Sequence, residues 1–252
     1  MITPFTILAG ATLASAAPAT KAEPIRNIVI VHGAFADASG WRGVYDELTG
    51  RGYNVRLVQN PLTSLADDVA ATDRVLARLK GPVILVGHSY GGTVITEAGD
   101  APNVAGLVYV AAFAPGIGQS TLDQYAEVAP PPNFQPDAQP DGFAFLRSET
   151  FKAGFADDTS DADAAFMRDS QVPVAMRALE ARVTRTAWTS KPSWYVVATH
   201  DGAIAPALLR STARRIGATT TEVVGSHVVF QTQAKAVADV IEQAAKGAAK
   251  SK

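Results

Sequence analysis

Short apolar runs and stretches of helical period alternate along the first third of this chain, and that alternation narrows the architectures open to it. Apolar runs lie at 27–31, 53–58 and 82–86, and between them residues 40–49 and 65–79 repeat apolar side chains at three- and four-residue steps. Strand, helix, strand in that order predicts parallel strands joined by crossover helices, hence an α/β domain with a mostly parallel central sheet flanked by helices. In the second helix Leu65, Val69, Thr72, Leu76 and Leu79 mark one core face, while Ser64 with Asp67 can cap its start. Asp68, Asp73, Arg74 and Arg78 read as its solvated face. Further strands are expected at 104–111, 193–198 and 220–224. A helix at 206–216 opens with Pro206 and stops at Gly217, and a last helix covers 233–245.

The third apolar run ends in Gly87-His88-Ser89-Tyr90-Gly91-Gly92, just before helical sequence. In that context a G-x-S-x-G pentad forms a nucleophile elbow, a sharp strand-to-helix turn that lifts the serine clear of the sheet. Small neighbours let the backbones pass, and the start of the new helix turns free N–H groups toward any oxyanion formed there. A serine hydroxyl is a poor nucleophile without a base, and the base needs an orienting acid. Asp201 follows the strand at 193–198 and His227 follows the strand at 220–224, so both sit at the carboxyl ends of strands, where ligands collect in an open α/β sheet. The first strand ends in His32-Gly33-Ala34. A turn at Gly33 can aim the Ala34 amide, or alternatively that of Phe35, at the serine. With the Tyr90 amide it would make a two-donor oxyanion hole. His32 and His88 read as supports of their turns, and His200 as a neighbour that tunes the acid loop.

These motifs, in this order and at this spacing, resemble the α/β-hydrolase-fold serine hydrolases, in particular the compact group that contains plant methyl esterases and hydroxynitrile lyases. The resemblance rests on His32-Gly33-Ala34, the Gly87 to Gly91 pentad, Asp201 with Ile204 and Pro206, and Gly225-Ser226-His227. It implies Ser89 as nucleophile, His227 as general base and then acid, Asp201 as its partner, and the Ala34 and Tyr90 amides as oxyanion donors. Lyases of this group add a lysine near the acid loop. Here His200, Gly202 and Ala203 flank Asp201, which favours ester hydrolysis. A serine at the elbow also argues against the dehalogenase and epoxide hydrolase chemistry of relatives that carry an aspartate there. The chemistry calls for no metal and no organic cofactor.

In this fold an insertion after the strand at 104–111 caps the nucleophile, and residues 114–190 break the alternation with proline and aromatic residues. Helical patches at 120–127, 161–169 and 174–183 suggest a helical cap over an apolar cavity, with 130–141 as a mobile entrance loop. Phe35, His88, Phe113, Phe143 and Trp188 are the candidate pocket residues, and a small hydrophobic ester is the expected substrate. A lactone or a carbon–carbon bond beside a carbonyl suits the same triad, and a slow-turnover ligand receptor is the non-enzymatic alternative.

Composition adds exclusions. The chain has 252 residues, 47% of them hydrophobic, enough for one domain over 23–252 with its own core. A net charge of −2 with no Lys/Arg block gives no footprint for nucleic acid or an anionic membrane. Without cysteine there is neither a disulfide nor a thiolate nucleophile. Residues 1–22 resemble a signal peptide, with an apolar stretch at 5–17, no charged side chain before Lys21, and Ala14-Ser15-Ala16 as a cleavage site. The expectation is export to the periplasm or medium with no stable membrane association after processing, and a cytoplasmic location is the alternative.

Overall fold

The computed structural model describes residues 25–249, so the leader expected at 1–22 lies outside the described residues. Strands β1 (Asn27–Val31), β2 (Asn54–Val58), β3 (Val83–His88) and β4 (Val104–Val110) are joined by α1 (Arg42–Gly50), α2 (Leu65–Leu76) and α3 (Tyr90–Ala98). The excursion that follows carries β5 (Pro136–Ala138), β6 (Phe143–Leu146), α4 (Phe151–Phe155), α5 (Asp161–Asp169), β7 (Val174–Ala175) and α6 (Met176–Glu180). The chain then returns as β8 (Ser193–Ala198), α7 (Pro206–Arg215) and β9 (Thr219–Val223), and closes with α8 (Val229–Thr232) and α9 (Ala234–Ala248).

The main sheet has the order β2-β1-β3-β4-β8-β9 and every pair in it is parallel. β3 and β8 are buried at every residue, because helices cover both faces of the sheet. From β1 the chain steps one way to β2, then back past β1 to β3. Right-handed crossovers therefore put α1 on one face and α2 and α3 on the other. α9 packs on α1 and on β4 and β8, completing the first layer. The change of direction opens a crevice at the carboxyl ends of β1 and β3, the place where such sheets bind ligands.

Three expectations change. The excursion is not purely helical: β5, β6 and β7 form an antiparallel three-stranded sheet. A tight turn at Gly142, where φ is 85°, folds β6 back on β5, so part of the expected entrance loop is an edge strand opening on Pro136. The helix expected at 174–183 splits, because the Ala175 amide donates to Leu62 O and the Met176 amide to Gly142 O, leaving only α6 helical. Asp68, placed by its charge on the solvated face of α2, is fully buried. It lies three residues from Leu65 and four from Thr72, on the buried stripe itself. The Ser64 cap of α2 is present, with its hydroxyl accepting from the Asp67 amide at 3.1 Å.

Candidate active site

Ser89 stands between β3 and α3 with φ 52° and ψ −124°, a conformation that non-glycine residues avoid unless their surroundings impose it. Here the Ser89 amide donates to Val110 O at 3.3 Å, and its carbonyl accepts from the Gly92 and Phe113 amides at 2.9 and 3.2 Å. A Cβ on Gly92 would lie 2.1 Å from Phe113 O, so only glycine lets α3 begin this close to the loop after β4.

His227 and Asp201 meet across the ends of β9 and β8. The imidazole Nδ1 is 2.8 Å from Asp201 Oδ2, while Asp201 Oδ1 accepts from the Ala203 and Ile204 amides, both at 2.8 Å. A carboxylate only accepts, so Nδ1 carries the proton and Nε2 keeps a free lone pair. Both side chains are buried. His88 lies beneath them, its ring centroid 4.6 Å from that of His227. Its Nε2 donates to His227 O at 3.0 Å, which fixes the backbone of the loop that carries His227. Burial holds its pKa well below the ordinary histidine value, so it is a neutral prop.

The loop after β1 rests on the elbow. A Cβ on Gly33 would come within 2.8 Å of Ser89 Cβ and 3.1 Å of His88 O. His32 shapes this turn: Nδ1 donates to Gly33 O at 2.8 Å and Nε2 accepts from the Asn60 amide at 2.9 Å. Burial lowers the His32 pKa, in keeping with a neutral ring committed at both nitrogens. Among the described residues neither the Ala34 nor the Tyr90 amide donates to a protein acceptor. Both residues line a cavity of about 180 Å³ together with Phe35 and Ser89. Its other walls are apolar and include Phe113, Leu122, Tyr125, Phe134, Phe155 and Leu179.

Of the five pocket candidates, Phe35 and Phe113 line this cavity and three do not. His88 is sealed beneath the elbow. Phe143 shares a face of β6 with the exposed Phe145, while Ala144 and Leu146 point inward, so strand alternation turns it away. Trp188 donates its indole N–H to Pro115 O at 3.2 Å and lies under the Arg215 guanidinium, joining the cap to α7. Tyr125, Phe134 and Phe155 come from the cap instead: Phe134 and Phe155 stand out in the sequence only as members of an aromatic set, and Tyr125 does not stand out at all.

Two carboxylates, Asp68 in the interior and Asp158 on the exposed surface of the cap, support the site from outside it. Asp68 accepts from the Tyr90 hydroxyl at 2.7 Å and from the Leu62 amide at 2.8 Å, and burial raises its pKa to about 6 despite those bonds. Asp158, from the cap, accepts from the Ser226 amide at 3.0 Å and the Thr232 hydroxyl at 2.8 Å, on either side of His227. Burial pushes its carboxyl up, but the hydrogen bonds outweigh it and hold the pKa below the ordinary value. Among the described residues no group of three or more acidic or histidine side chains is arranged to hold a metal ion, and no helix is long and apolar enough to cross a membrane.

Comparison with known proteins agrees with this fold. A family model described as the alpha/beta hydrolase family matches residues 28–240. A carbendazim hydrolyzing esterase from Nocardioides sp. (strain SG-4G) is 34% identical over 119 residues, which is 42% of this chain and 49% of that protein. The chain thus matches that curated relative over about half of its length. Among solved structures, an extracellular alpha/beta-hydrolase from a Paenibacillus species, described as homologous in structure and function to tobacco salicylic acid binding protein 2, superposes with a TM-score of 0.74 at 22% identity, covering 88% of this chain and 99% of its own. A pyrethroid hydrolase from Sphingobium faniae JZ-2 gives 0.76 at 18% identity over 90% and 99%. Polyneuridine aldehyde esterase gives 0.75 at 17% over 87% and 98%. At these identities the likenesses to solved structures speak for the fold.

Proposed function

Since the chain belongs to the alpha/beta hydrolase family, we propose that it is a serine hydrolase that cleaves small to medium hydrophobic carboxylic esters through an acyl-enzyme on Ser89. The observation that carries this reading is Ser89 held at positive φ in the lining of an apolar cavity, with the hydrogen-bonded His227–Asp201 pair at the ends of neighbouring strands. The carbendazim hydrolyzing relative supports a hydrolytic reading over a receptor.

In the proposed cycle His227 Nε2 takes the Ser89 proton as Oγ attacks the ester carbonyl, and Asp201 stabilises the imidazolium that develops. The oxyanion accepts from the Ala34 and Tyr90 amides, each worth roughly 2.7–4 kcal/mol where such donors have been removed from other hydrolases. Collapse returns the proton from His227 to the leaving alkoxide and releases an alcohol. Water then attacks the acyl-enzyme with His227 again as base, freeing the acid and Ser89. A cavity of about 180 Å³ compares with the ~150 Å³ that holds one benzene, so an acyl group of benzoyl or hexanoyl size matches it. The apolar leader at 1–22 supports export, which puts this chemistry outside the cytoplasm.

The test is hydrolysis of p-nitrophenyl esters of graded acyl length by wild type and Ser89→Ala, with covalent labelling by a serine-reactive phosphonate. Turnover confined to the wild type, with an optimum at short to medium chains, is expected. Undiminished turnover in Ser89→Ala would remove the serine from the mechanism.

A further inference from the structure

A second cavity, of about 290 Å³, adjoins the one at Ser89 and shares two of its walls, Phe35 and Phe155. It lies between the segment at 35–43, the cap helices α4 and α5, and α8. Its apolar lining is largely aromatic: besides the shared pair it includes Phe151, Phe166, Met167 and Phe230. Phe166 is 68% exposed, an unusual position for so large an apolar side chain. Phe35 adopts φ 61° to hold its ring at the junction, a strained backbone for an aromatic residue.

The charged groups on this cleft are already committed. Asp37 accepts from the Ser39 amide at 2.7 Å, Arg42 pairs with Asp46 at 2.7 Å, and Asp163 accepts from the Ser160 hydroxyl at 2.6 Å. An ionic ligand would have to compete for them, whereas a flat apolar group would meet the aromatic rings unopposed. The junction also lies on the histidine side of the site. Phe155 packs with its ring centroid 4.9 Å from that of His227, and Val228, the residue after His227, lines the cleft. The proposed oxyanion donors, Ala34 and Tyr90, line only the smaller cavity. In acyl transfer the leaving group departs toward the general acid while the acyl carbon stays with the serine and the oxyanion donors.

We propose that this cleft receives the alcohol half of the substrate, an uncharged aromatic or similarly flat alcohol, with Phe35 and Phe155 forming the neck between alcohol and acyl compartments. The inference rests on the serine hydrolase reading and adds to it the class of leaving group.

The experiment compares kcat/KM for 2-naphthyl acetate and phenyl acetate, which differ only on the alcohol side, and for phenyl hexanoate and phenyl acetate, which differ only on the acyl side. Wild type, Phe166→Ser and Phe145→Ser are assayed, Phe145 being an exposed aromatic outside both cavities. In Phe166→Ser the naphthyl-to-phenyl ratio is expected to fall about fivefold or more, the scale set by losing part of one aromatic contact. The hexanoate-to-acetate ratio should stay within about twofold of wild type on the same scale. Phe145→Ser should move neither ratio. Binding of 2-naphthol to Ser89→Ala protein, followed by fluorescence, should weaken by a similar factor when Phe166→Ser is added. A naphthyl ratio unchanged in Phe166→Ser, or one that falls together with the acyl ratio, overturns the assignment of the cleft while leaving the hydrolase reading in place. Absence of Ser89-dependent turnover on every ester overturns both.

Discussion

Asp68 sits wholly inside the protein, against Tyr90, the residue that follows Ser89, and its replacement by asparagine should change how stability depends on pH. In the fold its pKa is raised from the ordinary aspartate value of 3.8 to about 6, first by burial, with the neighbouring Asp67 adding to the rise and the Tyr90 and Leu62 hydrogen bonds opposing it. The folded protein therefore binds a proton more tightly at this site than the unfolded chain does. Stability from this group is fully present below about pH 3.8 and is lost as pH rises to about 6. At 1.36 kcal/mol per pH unit the gap amounts to about 3 kcal/mol, of which about 2 kcal/mol falls between about pH 4 and about pH 7.5. Asparagine keeps the shape and one oxygen acceptor for the Leu62 amide but does not titrate. Urea unfolding of wild type and Asp68→Asn, followed by tryptophan fluorescence at those two pH values, isolates the group because all other ionisations cancel in the difference. The stability difference should move by about 2 kcal/mol in favour of the variant at the higher pH. A difference that stays constant to within about 0.5 kcal/mol would show that the carboxyl titrates alike in both states and would refute the reasoning.

Two further substitutions probe the site directly. Asp201→Asn should leave the circular dichroism spectrum unchanged, because an amide oxygen can still accept from the Ala203 and Ile204 amides. Its kcat should fall by about four orders of magnitude, since the amide N–H₂ facing His227 imposes the wrong tautomer. Gly33→Ala puts a methyl group 2.8 Å from Ser89 Cβ and 3.1 Å from a carbonyl oxygen that cannot move without moving the elbow. The loop bearing Ala34 should give way, lowering kcat by at least about tenfold with a smaller change in KM, as expected when a donor specific to the transition state is displaced. An increase in KM alone would mean that the loop binds substrate without stabilising the oxyanion.

The inner strands β1, β3, β4 and β8 were legible because they are buried on both faces and so read as apolar runs, whereas the edge strands β2 and β9 are partly exposed and more polar. The loops that carry Ser89 and Asp201 were legible because each follows such a run directly, and the loop that carries His227 because it follows the Thr-rich edge strand β9. The cap was not. Strands of three, four and two residues are too short to show a period of two, and the prolines at 130–132 and 136 hide a hairpin behind what looks like a loop. Side-chain direction there depends on register, which is why Phe143 and Phe155 could not be told apart by residue type. Asp68 was misplaced for a different reason. Residue type argued for the surface while its spacing from Leu65, Thr72 and Leu76 argued for the core, and the core position prevailed because the Tyr90 hydroxyl and the Leu62 amide satisfy the carboxyl there.

The bond that Asp158 accepts from the Ser226 amide makes the roof of this protein a mechanical partner of the proposed proton relay. Grafting a cap from another hydrolase to broaden the range of substrates would also remove the tether beside His227, so a chimera could lose turnover without losing its capacity to bind. A diversification scheme that varies the cap but retains Asp158, Ser226 and Thr232 as a fixed unit would let the shape of the chamber evolve separately from the alignment of the base.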